Sequence, residues 1–206
     1  MFGLTRAEEQ ILRRLRTPKK VQDFLEAIPI NFEPEGDTCL SPRRVLRERR
    51  AHCIEGAMLA ALALRLQGRK PLLVDLVAAP FDQDHVIAVF KDRGLWGAIS
   101  KTNHAVLRFR EPIFRTIREL ALSYFHEYTD DRGKKTLRSF SAPVDLKRFD
   151  RLNWITAEDD VWCVPEHLTK IPHQPLLSRN QIQSLRRADA LEIEAGRITA
   201  WQPPKN

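Results

Sequence analysis

The run Arg49-Arg50-Ala51-His52-Cys53-Ile54-Glu55-Gly56-Ala57 places a thiol at the start of an apolar helical stretch, directly after basic residues. Unpaired amide N–H groups and the positive end of the helix dipole favour thiolate there, and nearby arginines push the same way. His85 opens a strand in Asp82-Gln83-Asp84-His85-Val86-Ile87 and offers an imidazole that can serve as base for such a thiol. If Asp92-Arg93 is a two-residue hairpin turn, or 91 to 94 a four-residue one, Ser100 faces His85 and becomes the candidate for orienting its ring. Glu55 and Asp84, beside the pair in sequence, are capping or solvated carboxylates that are also able to touch a substrate.

These residues have to be positioned by the elements around them. Thr5-x-x-Glu8 is a capping-box pattern that opens a first helix through Ile11, Leu12 and Leu15. Thr17-Pro18 opens a second helix, striped by Val21, Phe24, Leu25 and Ile28, and Ser41-Pro42 opens an Arg-rich third one to about Arg50. From Cys53 to Leu66 the chain is apolar almost all round, which predicts a helix buried at the centre of its domain, stopped by Gly68. Residues 71–77, 86–90 and 95–99 read as antiparallel strands, with Val86, Ala88, Phe90, Leu95 and Ile99 on one face and Ile87, Val89 and Trp96 on the other with His85. Both faces are apolar, so helices should cover both, the α+β plan. Residues 113–128 fit a further amphipathic helix, after which Pro165, Pro172 and Pro175 break the pattern and Pro203-Pro204-Lys205-Asn206 reads as a loose end.

The run Arg50 to Ala61 around Cys53, the helix end at Gly68, the strand opening at Asp84-His85, and Trp96 four positions before residue 100 resemble the transglutaminase-like superfamily. The resemblance spans roughly residues 18–128 and is tightest over 49–103. It implies a papain-like core in a domain of residues 1–130 that includes the N-terminal helices, with 131–206 as a C-terminal extension packed on that core. It further implies thiol chemistry on an amide or acyl bond of a peptide or small molecule, with no cofactor. In its terms Cys53 is the nucleophile, His85 the proton shuttle, and residue 100 the acidic third member, where this chain has Ser100. Asn103 is the alternative orienter, reached through a bulge or a shifted register. Asn31 or the Cys53 backbone N–H would stabilise an oxyanion, and Asn31, Glu55, Asp84 and Trp96 are the candidates to face substrate. The rival expectation is a binding module that kept the scaffold but lost the acid, and that meets a protein or anionic partner through its basic surface.

Composition bounds these readings. The chain has 206 residues, 43% apolar and 30% charged, with a net charge of +7, which excludes a disordered chain and favours anionic partners. Three cysteines predict free thiols in a reducing, cytoplasmic setting. The acidic start lacks the character of an export signal, and the longest apolar stretch, Ala57–Leu64, is too short to span a bilayer. His52, His104 and His126 read as surface or packing residues and Cys39 as a loop thiol. Cys163-x3-His167-x5-His173 has something of a zinc spacing, but prolines interrupt it and no metal is expected. Arg43, Arg44, Arg47, Arg49 and Arg50, and the second group Arg132, Lys134, Lys135 and Arg138, lack interleaved aromatics, so a nucleic-acid partner is not expected.

Overall fold

The computed structural model describes residues 2–203, so Pro204-Lys205-Asn206 of the expected loose end lie outside the described residues. Helices α1 (Arg6–Arg14), α2 (Pro18–Glu26) and α3 (Pro42–Glu48) start where the sequence places their caps. The hydroxyls of Thr5, Thr17 and Ser41 accept from the backbone N–H of Glu8, Lys20 and Arg44. Helix α3 stops earlier than expected because Arg49 takes a left-handed conformation, φ 58°, and turns the chain into the next helix. That helix, α4 (Cys53–Leu66), is buried from Ile54 to Leu64 and forms the centre of the fold. Gly56 lets it approach the sheet: a Cβ there would lie 2.5 Å from Cβ of Lys101.

The sheet is seven-stranded and its pairings are antiparallel. Its strands are β1 (Leu72–Ala78), β2 (His85–Asp92), β3 (Leu95–Ile99), β4 (Arg110–Phe114), β5 (Leu137–Ser141), β6 (Val144–Asp145) and β7 (His173–Pro175). They run in the order β4-β3-β2-β1-β5-β7, with β6 also paired to β1. Leu73, Val86, Ala88, Phe90 and Ile99 pack in one core with α4. Val74, Leu76, Ile87, Val89 and Ala98 form a second core on the other face, under α5 (Ile117–Leu122) and the side chains of Tyr124, Phe125 and Tyr128. The chain is therefore α+β, with the sheet covered on both faces as the alternation predicts.

Three expectations are corrected. The β2–β3 turn is Arg93-Gly94, both at positive φ, rather than Asp92-Arg93, and the ladder runs from Asp92↔Leu95 to Ala88↔Ile99. This moves the register by two residues, so every side chain keeps its face and Ser100 sits diagonally, not directly, across from His85. The single helix expected over 113–128 is a strand followed by a short helix. Ile113 and Phe114 lie in β4, which pairs with β3, and α5 opens only after the Thr116 cap and closes at Leu122.

The third correction concerns the stretch from 131 onward, which completes the sheet as well as packing on it. Strand β5 pairs with β1 and β7 pairs with β5. Strand β7 is too short to show an alternation in sequence, and β5, Leu137-Arg138-Ser139-Phe140-Ser141, does not alternate. The remaining helices are α6 (Cys163–Lys170), α7 (Arg179–Gln183) and α8 (Ala190–Arg197).

Candidate functional site

Cys53 is the first residue of α4 and His85 the first of β2, so packing α4 on the sheet brings helix start and strand start together. Cys53 is half-buried with a free thiol. Burial by itself would raise its pKa. The imidazoles of His52 and His85, which line the same cleft, outweigh burial and bring it down to about 5. Cys39 and Cys163 go the other way, both raised by burial. The arginines expected to help the thiolate face elsewhere: Arg50 pairs with Glu48 at 3.1 Å, and Arg49 lies over the Phe24 ring at 5.0 Å. Imidazoles, not guanidiniums, depress this thiol.

His85 is buried and its Nε2 lies 2.7 Å from Ser100 Oγ. The Ser100 hydroxyl donates its only proton to the Leu107 carbonyl at 2.5 Å. It can therefore only accept from His85, which puts a proton on Nε2 and leaves Nδ1 as the ring nitrogen for the sulfur. Of the two residues expected to orient the ring, Ser100 is the one hydrogen-bonded to it. Leu107 holds its carbonyl there in a left-handed conformation, φ 60°, and its own N–H donates to Glu127 Oε2 at 2.8 Å. Glu127 is held in turn by Arg110 at 2.6 Å. No sequence signal marks Leu107, because its contribution comes from the backbone.

The other candidates separate. Asn103 does not reach His85: its side chain accepts from the Trp201 N–H at 2.9 Å and donates to the Trp201 carbonyl at 3.0 Å. It pins the C-terminal segment beside the site. Asn31 lines the cleft, but its amide protons go to Thr38 Oγ1 at 2.8 Å and to the Glu55 carboxylate at 3.2 Å, so it is not a free oxyanion donor. The Cys53 N–H, in the first turn of α4, has no acceptor within the helix and remains the donor for that task. Glu55 is fully buried beneath the cleft and does not face substrate. It accepts from Thr38 Oγ1, Leu40 N and His52 N, each at 2.8 Å. Asp84 is exposed on the cleft wall, whereas Trp96 lies at the far end of the hairpin, where Lys91 covers it at 4.7 Å.

His52, read as a surface or packing residue, belongs to the site. It is the N-cap of α4, its Nε2 lies 3.0 Å from the Thr38 carbonyl, and Glu33 and Glu55 each place an oxygen 3.4 Å from the same nitrogen. Burial opposes its protonation, but contact with Cys53 and the charge of Glu55 raise its pKa to about 9. The signal that was available is position: the residue before a helix-start cysteine is the cap, and a cap side chain turns back over the first turn. Of the residues with a zinc-like spacing, His173 lies on Asp75 at 3.0 Å and His167 stands edge-on to Phe149.

The cleft over Cys53 has a volume of about 450 Å³ and is walled on its far side by Ile193, Gly196 and Arg197 of α8. Glu33, Asp82, Asp84, Glu127, Asp130 and Asp131 line it, in a chain whose net charge is +7. The arginines of α3 that suggested an anion site are engaged: Arg43 with Glu8, Arg44 with Glu48 and Asp160, and Arg47 with Glu158. Compared with known proteins, the chain matches no family model and no curated sequence. Among the described residues no helix is long and apolar enough to cross a membrane.

Proposed function

We propose that this chain is a thiol-dependent hydrolase or acyltransferase acting on an amide or acyl bond, built on a papain-like, transglutaminase-like core. The observation that supports it best is the line from Cys53 through His85 to Ser100 and Leu107, which holds the imidazole in the tautomer a thiol needs. In this reading His85 takes the thiol proton, and the Cys53 sulfur attacks the substrate carbonyl while the Cys53 N–H faces the developing oxyanion. The imidazolium then protonates the leaving nitrogen or oxygen as the bond to carbon breaks, leaving a thioester on Cys53. Water or an amine attacks that thioester, and the attacking group gives its proton back to His85. The carboxylates along the cleft favour a substrate bearing positive charge near its acyl group, by raising the local concentration of cations.

The test reads each cysteine separately by peptide mass spectrometry, with iodoacetamide across pH and p-nitrophenyl acetate as the acyl probe. A depressed pKa means that the folded chain releases the thiol proton early. Alkylation at Cys53 should therefore climb as pH rises through about 5, while Cys39 and Cys163 stay inert there. The acetyl group should land on Cys53 with release of nitrophenol, and Cys53→Ala should abolish that burst. A Cys53 that titrates like an ordinary thiol and takes no acetyl group would favour the binding module on an inherited scaffold.

A further inference from the structure

The imidazole that the thiol reading assigns to proton transfer, His85, has no carboxylate behind it. Its Nε2 meets Ser100, and Ser100 meets a backbone carbonyl. A papain-like pair without an acid lacks the negative charge that would stabilise the imidazolium, so ionisation of its thiol needs help from elsewhere. A second imidazole with the reverse endowment lines the same cleft as Cys53 and His85. His52, the helix N-cap directly before Cys53, presents Nε2 to the Thr38 carbonyl at 3.0 Å and to one oxygen each of Glu33 and Glu55 at 3.4 Å.

Both carboxylates are anchored rather than loose. Glu33 Oε1 accepts from Thr38 N at 2.7 Å. Glu55, with no exposed surface, is held by donors from Asn31, Thr38, Leu40 and the His52 backbone. Fixed negative charge in a partly dehydrated place favours a proton on the ring beside it, and little reorganisation is needed to keep it there. The charged or titratable groups beside His52 are Glu33 from the loop after α2 and Glu55 and Cys53 from α4, and His85 from β2 lines the same cleft.

We propose that His52 is a catalytic residue of a divided site: a standing cation, held protonated by Glu33 and Glu55, that stabilises the Cys53 thiolate while His85 alone moves the proton. This rests on the thiol reading above and extends it. The proton account stays closed. The thiol proton passes to His85 Nδ1, the sulfur bonds to the carbonyl carbon, and His85 delivers the proton to the leaving group. His52 gains and loses none. The charge missing behind His85 is thereby offset in front of the sulfur.

The experiment is the iodoacetamide pH profile at Cys53 in the wild type, His52→Gln, Glu33→Gln, and both changes in a His85→Gln background, with a thermal melt of each to confirm folding. Glutamine at 52 keeps a donor for the Thr38 carbonyl but carries no charge. The expected result is a midpoint moved upward by about two pKa units in His52→Gln, from about 5 to about 7, so that alkylation at pH 6 slows about tenfold. Glu33→Gln should move it less in the same direction, without touching the sulfur. The His52 effect should persist when His85 is absent, because a standing charge does not need the proton shuttle. A wild-type midpoint that is low and unmoved by His52→Gln in a folded protein overturns this proposal and leaves the thiol reading standing. A wild-type Cys53 that titrates like a free thiol overturns both.

Discussion

The two walls of the cleft are built on opposite principles. The wall that carries Cys53 is α4, whose residues from Ile54 to Leu64 are all buried, so its position is set by apolar packing against the sheet and helices α1–α3. The facing wall is α8, which has no buried residue. It is held instead by polar ties to the loop after β3: Ala105 N–H to the Ile198 carbonyl at 2.8 Å, His104 to the Gly196 carbonyl at 2.7 Å, and Asn103 to Trp201. That loop also supplies the Leu107 carbonyl behind Ser100. The nucleophile therefore sits on the part of the molecule that cannot move without unpacking the core. Ser100, which meets its partner His85, is buried as well, whereas the helix that closes the cleft sits on the part that water can compete for.

This contrast can be broken from either side. The largest effect is expected where the polar wall touches the imidazole. Ser100→Ala strips His85 Nε2 of its acceptor and should slow acetylation of Cys53 by p-nitrophenyl acetate by about 10²-fold, the scale of a lost general base. A rate within twofold of wild type would mean that Ser100 does not orient the ring.

Next comes the packed wall. Gly56→Ala drives a Cβ to 2.5 Å from Cβ of Lys101, whose ammonium is fixed on the Leu25 and Ile28 carbonyls and cannot swing clear. The overpacking should cost about 2 kcal/mol. The matching fall in Tm, roughly 4–8 °C for a domain of this size, is read by calorimetry. An unchanged Tm would show that α4 has slack the packing does not suggest.

The smallest effect should follow from Asn103→Ala, which cuts the tie to Trp201 on an exposed segment. Tm should stay within about 1 °C, since surface changes seldom exceed about 0.5 kcal/mol. Amide exchange over residues 196–201 should accelerate severalfold. Faster exchange in the core strands instead would mean that the segment supports more than the cleft.

The legibility of the sequence follows the same division. Helix α4, the caps of α1–α3 and the hairpin with both faces apolar were readable because each leaves a local mark: a hydroxyl before a helix, an unbroken apolar run, an alternation. Cys53 and His85 were readable because they stand at element starts. Strands β6 and β7 were not, being too short to alternate, nor was β5, whose apolar residues Leu137 and Phe140 fall out of alternation, and the split of residues 113–128 into β4 and α5 was hidden because the apolar spacing suits either form. The choice of Ser100 over Asn103 turned on which side chain had a free valence, and Asn103 had spent its own on Trp201, distant in sequence.

By itself, then, the sequence determined the α+β plan, the buried helix, the faces of the hairpin and the placing of a thiol and an imidazole at element starts, because burial and capping are decided by neighbours a few residues apart. Only the tertiary structure decided that His52 lines the cleft with Cys53 and has Glu33 and Glu55 on its ring, that Leu107 completes the line from His85, and that carboxylates crowd the cleft of a basic chain. Those features depend on where hydrogen-bond donors and charges from separate elements converge, and convergence in space leaves no period in the chain.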